Sequence, residues 1–422
     1  MELKIHGAAK EVGRSAIQLT TNDHKILLDA GIKLAQETSY PLNMDDLTDT
    51  DVVFLTHAHL DHSGCLPLLR SHGMHCPVIT NSVTKALTRI LFKDAYKVEK
   101  INRRYVNYSK DDITETLADM QNVKYRKEYG FHELRYQYYD AGHIPGSSMI
   151  LLEADGKRIL YTGDFNTNES LLLNPADVDI PPGIDVLITE STYGDREHLN
   201  RKKQREDFIQ SIKATIARGG SVIVPVFAVG RAQEILLMLD QHDFGVPVYL
   251  DGMAKRVTEQ MLAKPKFIKD VNLLKKAIQK VKVVKGFRER KNFIKQQGIF
   301  VTTSGMLEGG PVLDYIAGLW ENELNSILLT GYQAEYTNGR LLVEEGNVFL
   351  DGWKVNVKAE VKHYDFSAHV GRTGLHEFIT KIDPKKLVTV HGDSSAMKEL
   401  AEWAESRGIE SCAPALGDKI II

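Results

Sequence analysis

The sequence is poor in the residues that several chemistries need. Its 422 residues hold three cysteines (Cys65, Cys76, Cys412), odd in number and without C-x-x-C spacing. That excludes a disulfide framework and a thiolate-bound zinc, and it suits a reducing, cytoplasmic compartment. No apolar run approaches the ~20 residues that cross a bilayer. The opening M-E-L-K-I-H-G-A-A-K lacks the apolar core of a signal peptide. Internal repeats, low-complexity tracts and flexible linkers are missing as well. Formal net charge is −3, so the field of the whole molecule does not advertise a polyanion partner. What remains is an ordinary globular composition, 43% hydrophobic and 26% charged, at a length that implies two domains or more.

Charge is nevertheless uneven. Lys275, Lys276, Lys280, Lys282, Lys285, Arg288, Arg290 and Lys291 fall within seventeen residues whose single acid is Glu289. A solvated helix face explains such a run without any function. A groove for a phosphate backbone is the sharper reading.

The stretch around which the chain is organised is Asp51 to Gly64, D-V-V-F-L-T-H-A-H-L-D-H-S-G. Val52 to Leu55 reads as a short buried strand. It empties at Thr56 into His57, His59, Asp61 and His62, four potential ligands within six residues on a loop. Imidazole and carboxylate are the usual ligands for zinc, and this spacing brings them around one point. A helical pattern follows Gly64, so the ligands sit at the carboxyl end of a strand, where open α/β sheets place their sites.

The same arrangement recurs. A strand over Lys25 to Leu28 ends at Asp29, a candidate for orienting a ligand imidazole. Residues 82–130 are expected to be helical. Leu134 to Tyr139 reads as a strand ending in D-A-G-H-I-P-G-S-S, with His143 in the loop. After a hairpin at Asp155-Gly156, a strand ends at Asp164. Ile184 to Thr189 ends at Glu190. From about residue 200 strands and helices alternate, implying a second α/β layer structure. Its turns at Gly230-Arg231 and Ser304-Gly305 follow buried strands and present backbone N–H groups suited to a phosphate. Arg340 to Val343 reads as a strand in a strand-rich region. The chain then reaches His363–Arg372 (H-Y-D-F-S-A-H-V-G-R) and a last buried strand, Lys386 to Val390, ending at His391. This return to the first site's style implies that the middle region is an insertion.

H-A-H-L-D-H, together with Asp29, His143 and Asp164, resembles the metallo-β-lactamase superfamily. Glu190-S-T-Y-G, F-A-V-G-R, T-S-G-M-L-E-G-G-P, F-S-A-His369 and V-His391-G are similar to its β-CASP branch of nucleic-acid nucleases. The likeness covers essentially the whole chain and is strongest to archaeal and bacterial relatives of the polyadenylation-factor endonuclease, then to ribonuclease J. The resemblance implies an α/β fold: an αββα sandwich in two parts, 1–200 and 351–422, with a β-CASP domain inserted over 201–350. It implies two zinc ions. His57, His59 and His143 would hold one; Asp61, His62 and His391 the other; and Asp164 would bridge them, with a hydroxide polarised against the scissile phosphate. Glu190 and His369 would be the acid pair that protonates the leaving oxygen, with Asp61 at the catalytic centre as well. Arg231, Ser304 and Gly305 would be candidates for substrate phosphate, and His363 a bystander. His391 favours RNA, because DNA-repair members typically carry Val there, and the RNA is expected to be single-stranded. Gly371 stands where members often have an acid. The chain is expected to begin directly at the catalytic domain, without an upstream KH-type module, so affinity would come from the groove between domains and the 275–291 segment. A homodimer is a further expectation.

Three readings compete with an RNA nuclease: a small-molecule hydrolase on the same scaffold (thioesterase, lactamase or phosphodiesterase), a DNA nuclease, and an inactive binding subunit. Small substrates need no large inserted domain, and inactive paralogues are expected to have lost ligands.

Overall fold

The computed structural model describes residues 1–34, 37–101 and 106–422. Its contacts divide the chain into two compact units: residues 1–169, 174–197 and 368–422 form the first, residues 170–173 and 198–367 the second. Where the sequence reading draws the insertion over 201–350, the second unit also takes in the Glu360–His363 strand, which pairs in parallel with Ser326–Leu329.

The first unit is built on two seven-stranded sheets. In one, Glu2–Ile5, Ile17–Thr20 and Lys25–Leu28 run antiparallel, then Val52–Phe54, Val78–Asn81 and Met120–Val123 add in parallel, while Lys419–Ile421 pairs with Glu2–Ile5 at the far edge. In the other, Glu128–Phe131, Leu134–Asp140, Ser148–Ala154 and Lys157–Tyr161 are antiparallel, followed in parallel by Val186–Glu190, Lys386–Val390 and Glu410–Cys412. Side-chain alternation splits each strand between two cores. Val52 and Phe54 join Ile150, Tyr161 and Val388 between the sheets. Val53 and Leu55 face outward onto Leu66, Leu69 and Phe92. On the other sheet, Leu160, Leu187 and Leu387 face outward onto Leu375, Phe378 and Leu400. Burial on both faces is why Val52 to Leu55 is unbroken apolar sequence. The architecture is an αββα sandwich.

The second unit is a six-stranded parallel sheet in the order Lys282–Val283, Val248–Asp251, Ile299–Thr302, Val222–Pro225, Ser326–Leu329, Glu360–His363. One face packs on Phe208, Ile212 and Ile235, the other on Tyr315, Ile316 and Leu342. Among the described residues no helix is long and apolar enough to cross a membrane.

Two local expectations are overturned. Arg340 to Val343, read as a strand, lies inside the helix Asn338–Glu345. Thr337 caps its start by accepting the Arg340 N–H at 3.2 Å, and Gly346 ends it in the left-handed conformation. The stretch 82–130, read as helical, holds the helices Ser82–Ile101 and Lys110–Asp119 and then two strands, Met120–Val123 and Glu128–Phe131. Both strands are sheet edges, so their outward residues are polar and no apolar run betrays them.

Candidate metal centre

Apart from His369, which precedes the helix Arg372–Ile382, the first unit's candidates sit at or soon after strand ends. Val52–Phe54 delivers His57 and His59; Asp61 and His62 then lie in a single helical turn, Leu60–Ser63, rather than in an open loop. That turn is pinned by the segment after Lys25–Leu28: Ala30 N–H donates to His62 O at 2.7 Å and Ile32 N–H to Leu60 O at 2.9 Å. Gly31 permits the approach, since a Cβ there would fall 1.7 Å from the Asp61 carbonyl oxygen. Leu134–Asp140 leads to His143, Lys157–Tyr161 to Asp164, Val186–Glu190 ends on Glu190, and Lys386–Val390 leads to His391. Asp29 and His391 both have φ in the left-handed region, 58° and 51°, a strained conformation for such residues that the surrounding packing must hold.

These residues converge. His57, His59, His143 and Asp164 form one group that could hold a metal ion, and Asp61, His62, Asp164 and His391 form another, sharing Asp164. A third, Asp164, Glu190, His369 and His391, overlaps both. Asp164 is the hub: its Oδ2 lies 3.7 Å from His57 Nε2 and 3.6 Å from His143 Nε2, and its Oδ1 3.3 Å from His62 Nε2 and 3.2 Å from His391 Nδ1.

The proton network shows that a cation fits. Thr56 Oγ1 donates to Asp29 Oδ2 at 2.8 Å, which leaves it to accept from His57 Nδ1 at 3.0 Å. His143 Nδ1 donates to the Ala368 carbonyl at 3.0 Å. With both Nδ1 protons committed outward, the Nε2 lone pairs of His57 and His143 point at His59 Nδ1, 3.2 and 3.3 Å away. One proton on His59 could satisfy only one of those contacts. Oδ1 of Asp164 and Nε2 of His391 are buried without a well-aligned hydrogen-bond partner, an arrangement whose cost a bound cation would remove. Burial drives the imidazoles of His57 and His143 well below the usual range and lowers that of His59, so all three are neutral at pH 7, the form in which an imidazole can bind a cation. Burial opposes ionisation of Asp164 and Asp61 too. Even so, the histidines around them, His391 foremost, hold both carboxylates below their ordinary value. His62 is raised despite burial, by Asp164 and Asp29. Its Nδ1 donates to Asp29 Oδ2 at 2.7 Å, so the proton on Nε2 is the one a cation would replace.

Beside the cluster, Glu190 Oε1 accepts the Phe165 N–H at 2.8 Å and its Oε2 lies 2.8 Å from His369 Nδ1. Against burial, the carboxylates of Glu190 and Asp164 raise His369 to about 9, so it carries a proton at neutral pH. Glu190 orients His369; Gly371 only precedes the helix Arg372–Ile382 as its cap residue. His59, Asp61 and His369 are the half-buried members through which the cluster meets solvent.

Several orienting residues escaped the sequence reading. Thr56 and Tyr161 both hydrogen-bond Asp29, Tyr161 OH donating to Oδ2 at 2.8 Å. Thr192 Oγ1 lies 3.3 Å from His391 Nδ1. Each is adjacent to, or ends, a strand that carries a candidate, and that adjacency is the signal that was available. Arg231, Ser304 and Gly305 belong to the second unit. Their turns follow the neighbouring parallel strands Val222–Pro225 and Ile299–Thr302 and meet side by side: a Cβ on Gly305 would lie 3.0 Å from the Phe227 nitrogen. His363 ends its strand with Nε2 2.8 Å from the Gly331 carbonyl oxygen, donating to it.

An αββα sandwich with this donor cluster at its strand ends is a metallo-hydrolase architecture. Family models agree segment by segment: the metallo-beta-lactamase superfamily domain matches residues 18–189, the Beta-Casp domain 232–342, and the Zn-dependent metallo-hydrolase RNA specificity domain 354–414. Along its full length the chain is 42% identical to the whole of Probable RNase MJ4 from Methanocaldococcus jannaschii. It is 35% identical to RNase aCSPSF2 from Saccharolobus solfataricus, over 99% of this chain and 85% of that one. It is 29% identical to Cleavage and polyadenylation specificity factor 73 from Drosophila melanogaster, over 95% of this chain and 61% of that one. A crystal structure of a protein of unknown function from Enterococcus faecalis shares the fold, with TM-score 0.62 at 14% identity over 100% of this chain and 99% of that one. The chain belongs to the β-CASP branch of the metallo-β-lactamase superfamily.

Proposed function

We propose that this protein is a metal-dependent ribonuclease that hydrolyses phosphodiester bonds of single-stranded RNA with two zinc ions. The convergence of six donor side chains on a seventh, Asp164, carries the reading. The relatives named as RNases and the RNA specificity domain over 354–414 support RNA as the substrate class.

His57, His59 and His143 would hold one ion, Asp61, His62 and His391 the second, and Asp164 would bridge both. All-imidazole and mixed carboxylate–imidazole sets both suit zinc. When bound, the metals supply Lewis-acid stabilisation of the phosphate's charge and lower the pKa of water into the neutral range. Asp29 holds His62 in place through its Nδ1 proton, and Thr56 does the same for His57. His369, protonated at neutral pH, donates its proton to the leaving oxygen; Glu190 keeps its ring aligned and stabilises its charge. Arg231 and the Ser304-Gly305 turn are assigned to substrate phosphate. The third group, in which Glu190 and His369 would themselves be ligands, is the competing assignment. The short Glu190–His369 hydrogen bond favours the acid role.

The test is to incubate zinc-loaded protein with an RNA bearing a 5′-monophosphate and an internal label, beside the matched DNA, and to resolve products by length. RNA cleaved into internal fragments indicates an endonuclease, and early mononucleotide release a 5′–3′ exonuclease. Cleavage of DNA alone, or turnover only of a small ester, would overturn the reading.

A further inference from the structure

Most of the basic run picked out in the sequence is exposed. Its first lysines lie on the helix Val271–Gln279, Lys282 on the edge strand Lys282–Val283, and the rest lead into the helix Phe287–Phe293. The edge strand and the last helix are contiguous: Lys282 Nζ lies 5.8 Å from the centre of the Tyr249 ring, whose neighbour 4.6 Å away is Phe293, on the helix that carries Phe287 and Lys291.

Two of the cations are structural. Arg290 turns inward to Asp251 and Asp314, and Lys280 pairs with Asp240. Among the described residues Lys275, Lys276, Lys282, Lys285, Arg288 and Lys291 are exposed and form no ion pair. The one acid, Glu289, is occupied by accepting the Lys285 N–H at 2.8 Å. A lysine on an edge strand also guards against edge-to-edge aggregation, but that purpose is poorly served by Phe287, which stands 53% exposed in the same face. Lys291 Nζ lies 4.5 Å from the centre of its ring. Unpaired cations interleaved with an exposed aromatic ring are what a single strand requires: phosphates for the lysines and an unstacked base for the ring.

We propose that this face, centred on Lys282, Lys285, Phe287 and Lys291, grips single-stranded RNA through its backbone phosphates and stacks one base on Phe287. The inference rests on the ribonuclease reading for its choice of RNA, and it adds a holding surface to that reading.

The test measures binding of a labelled single-stranded phosphorothioate RNA by fluorescence anisotropy across a salt series, with the full-length, zinc-loaded protein. In the variant Lys282→Glu/Lys285→Glu/Lys291→Glu, affinity should fall and the slope of log K against log salt should flatten by roughly 0.7 for each phosphate no longer neutralised. Phe287→Ala should weaken binding by roughly 5- to 150-fold with little change in slope. Duplex RNA should be far less sensitive to Phe287→Ala. Thermal unfolding midpoints equal to wild type show that the variants fold. Wild-type affinity and slope in both variants overturns the proposal, as does an equal loss on duplex and single strand for Phe287→Ala, which would remove stacking. If wild type binds through this face but cleaves no RNA, the surface stands and the ribonuclease reading falls. If it cleaves RNA and neither variant matters, only the surface falls.

Discussion

Both units bury acids at the carboxyl ends of parallel strands, and they treat them in opposite ways. In the second unit Asp251, 1% exposed at the end of Val248–Asp251, is fully served. Arg290 Nε donates to its Oδ2 at 2.7 Å, Tyr315 OH donates to the same oxygen at 3.2 Å, and the Gly252 N–H and Lys255 Nζ reach Oδ1. In the first unit Asp164, 2% exposed, is ringed by histidines and yet keeps an oxygen without a well-aligned partner, while imidazole lone pairs converge beside it. A satisfied network stabilises a fold; a cluster of convergent unsatisfied donors waits for a cation. The contrast separates a structural acid from a candidate ligand more sharply than burial does, since burial is the same in both.

The largest expected effect breaks the contrast at its centre. Asp164→Ala should abolish both bound metal, read by elemental analysis, and RNA cleavage, removing most of an acceleration that enzymes set at roughly 10⁶-fold or more, while the folded state persists by circular dichroism. Metal content and cleavage unchanged by that substitution would end the ligand assignment. Next, His369→Ala should lower kcat by roughly 10²- to 10⁴-fold with zinc content intact. Loss of one zinc with the histidine would instead place His369 among the ligands. Asp29→Asn leaves the donors in place and slackens their orientation, so metal affinity or activity should drop about 10- to 100-fold, measured by competition with a chelator.

The complementary cut in the second unit should act on stability alone. Arg290→Ala strands Asp251 in the core and should cost roughly 3–5 kcal/mol in denaturant unfolding, with zinc content unchanged. A fall in zinc would mean that the two networks are not independent. The smallest effect concerns Glu360. Lys362 first, then Arg218 and Ser326, hold its carboxyl at about 2, against burial and below an ordinary 4.5. A depressed folded-state value stabilises above the unfolded one and is lost as pH falls through it. Glu360→Gln should therefore be less stable than wild type above pH 4.5, by no more than about 1 kcal/mol for so exposed a group. The two proteins should converge as pH approaches 2.

Each candidate donor could be named from the sequence because each follows a stretch that reads as a strand, apolar before His57 and His391 and alternating before His143, a local pattern that needs no knowledge of the partners. The central strands, such as Val52–Phe54 and Val186–Glu190, were legible for the same reason, being buried on both faces and therefore unbroken in their apolarity; their assembly into an αββα sandwich was implied by the family resemblance. Edge strands carry no such signature, and Met120–Val123 and Glu128–Phe131 passed for helix. Arg340 to Val343, inside the helix Asn338–Glu345, passed for strand because four residues ending in a β-branched valine outweighed a cap at Thr337. Thr56 and Tyr161 were silent, since a threonine and a tyrosine in a strand ordinarily just pack.

The sequence by itself determined which residue types could bind a cation and where along the chain they fall, because strand, turn and ligand are set by neighbours a few residues apart. That His57 and His391, 334 positions apart in the chain, share Asp164 was implied by the family resemblance and by no local pattern; only the tertiary structure decided which ring nitrogen each turns to it, Nε2 of His57 and Nδ1 of His391. Such choices depend on hydrogen bonds that His62, His57 and His143 donate through Nδ1 to Asp29, Thr56 and the Ala368 carbonyl, and the pairings of long range among them leave no trace in local pattern.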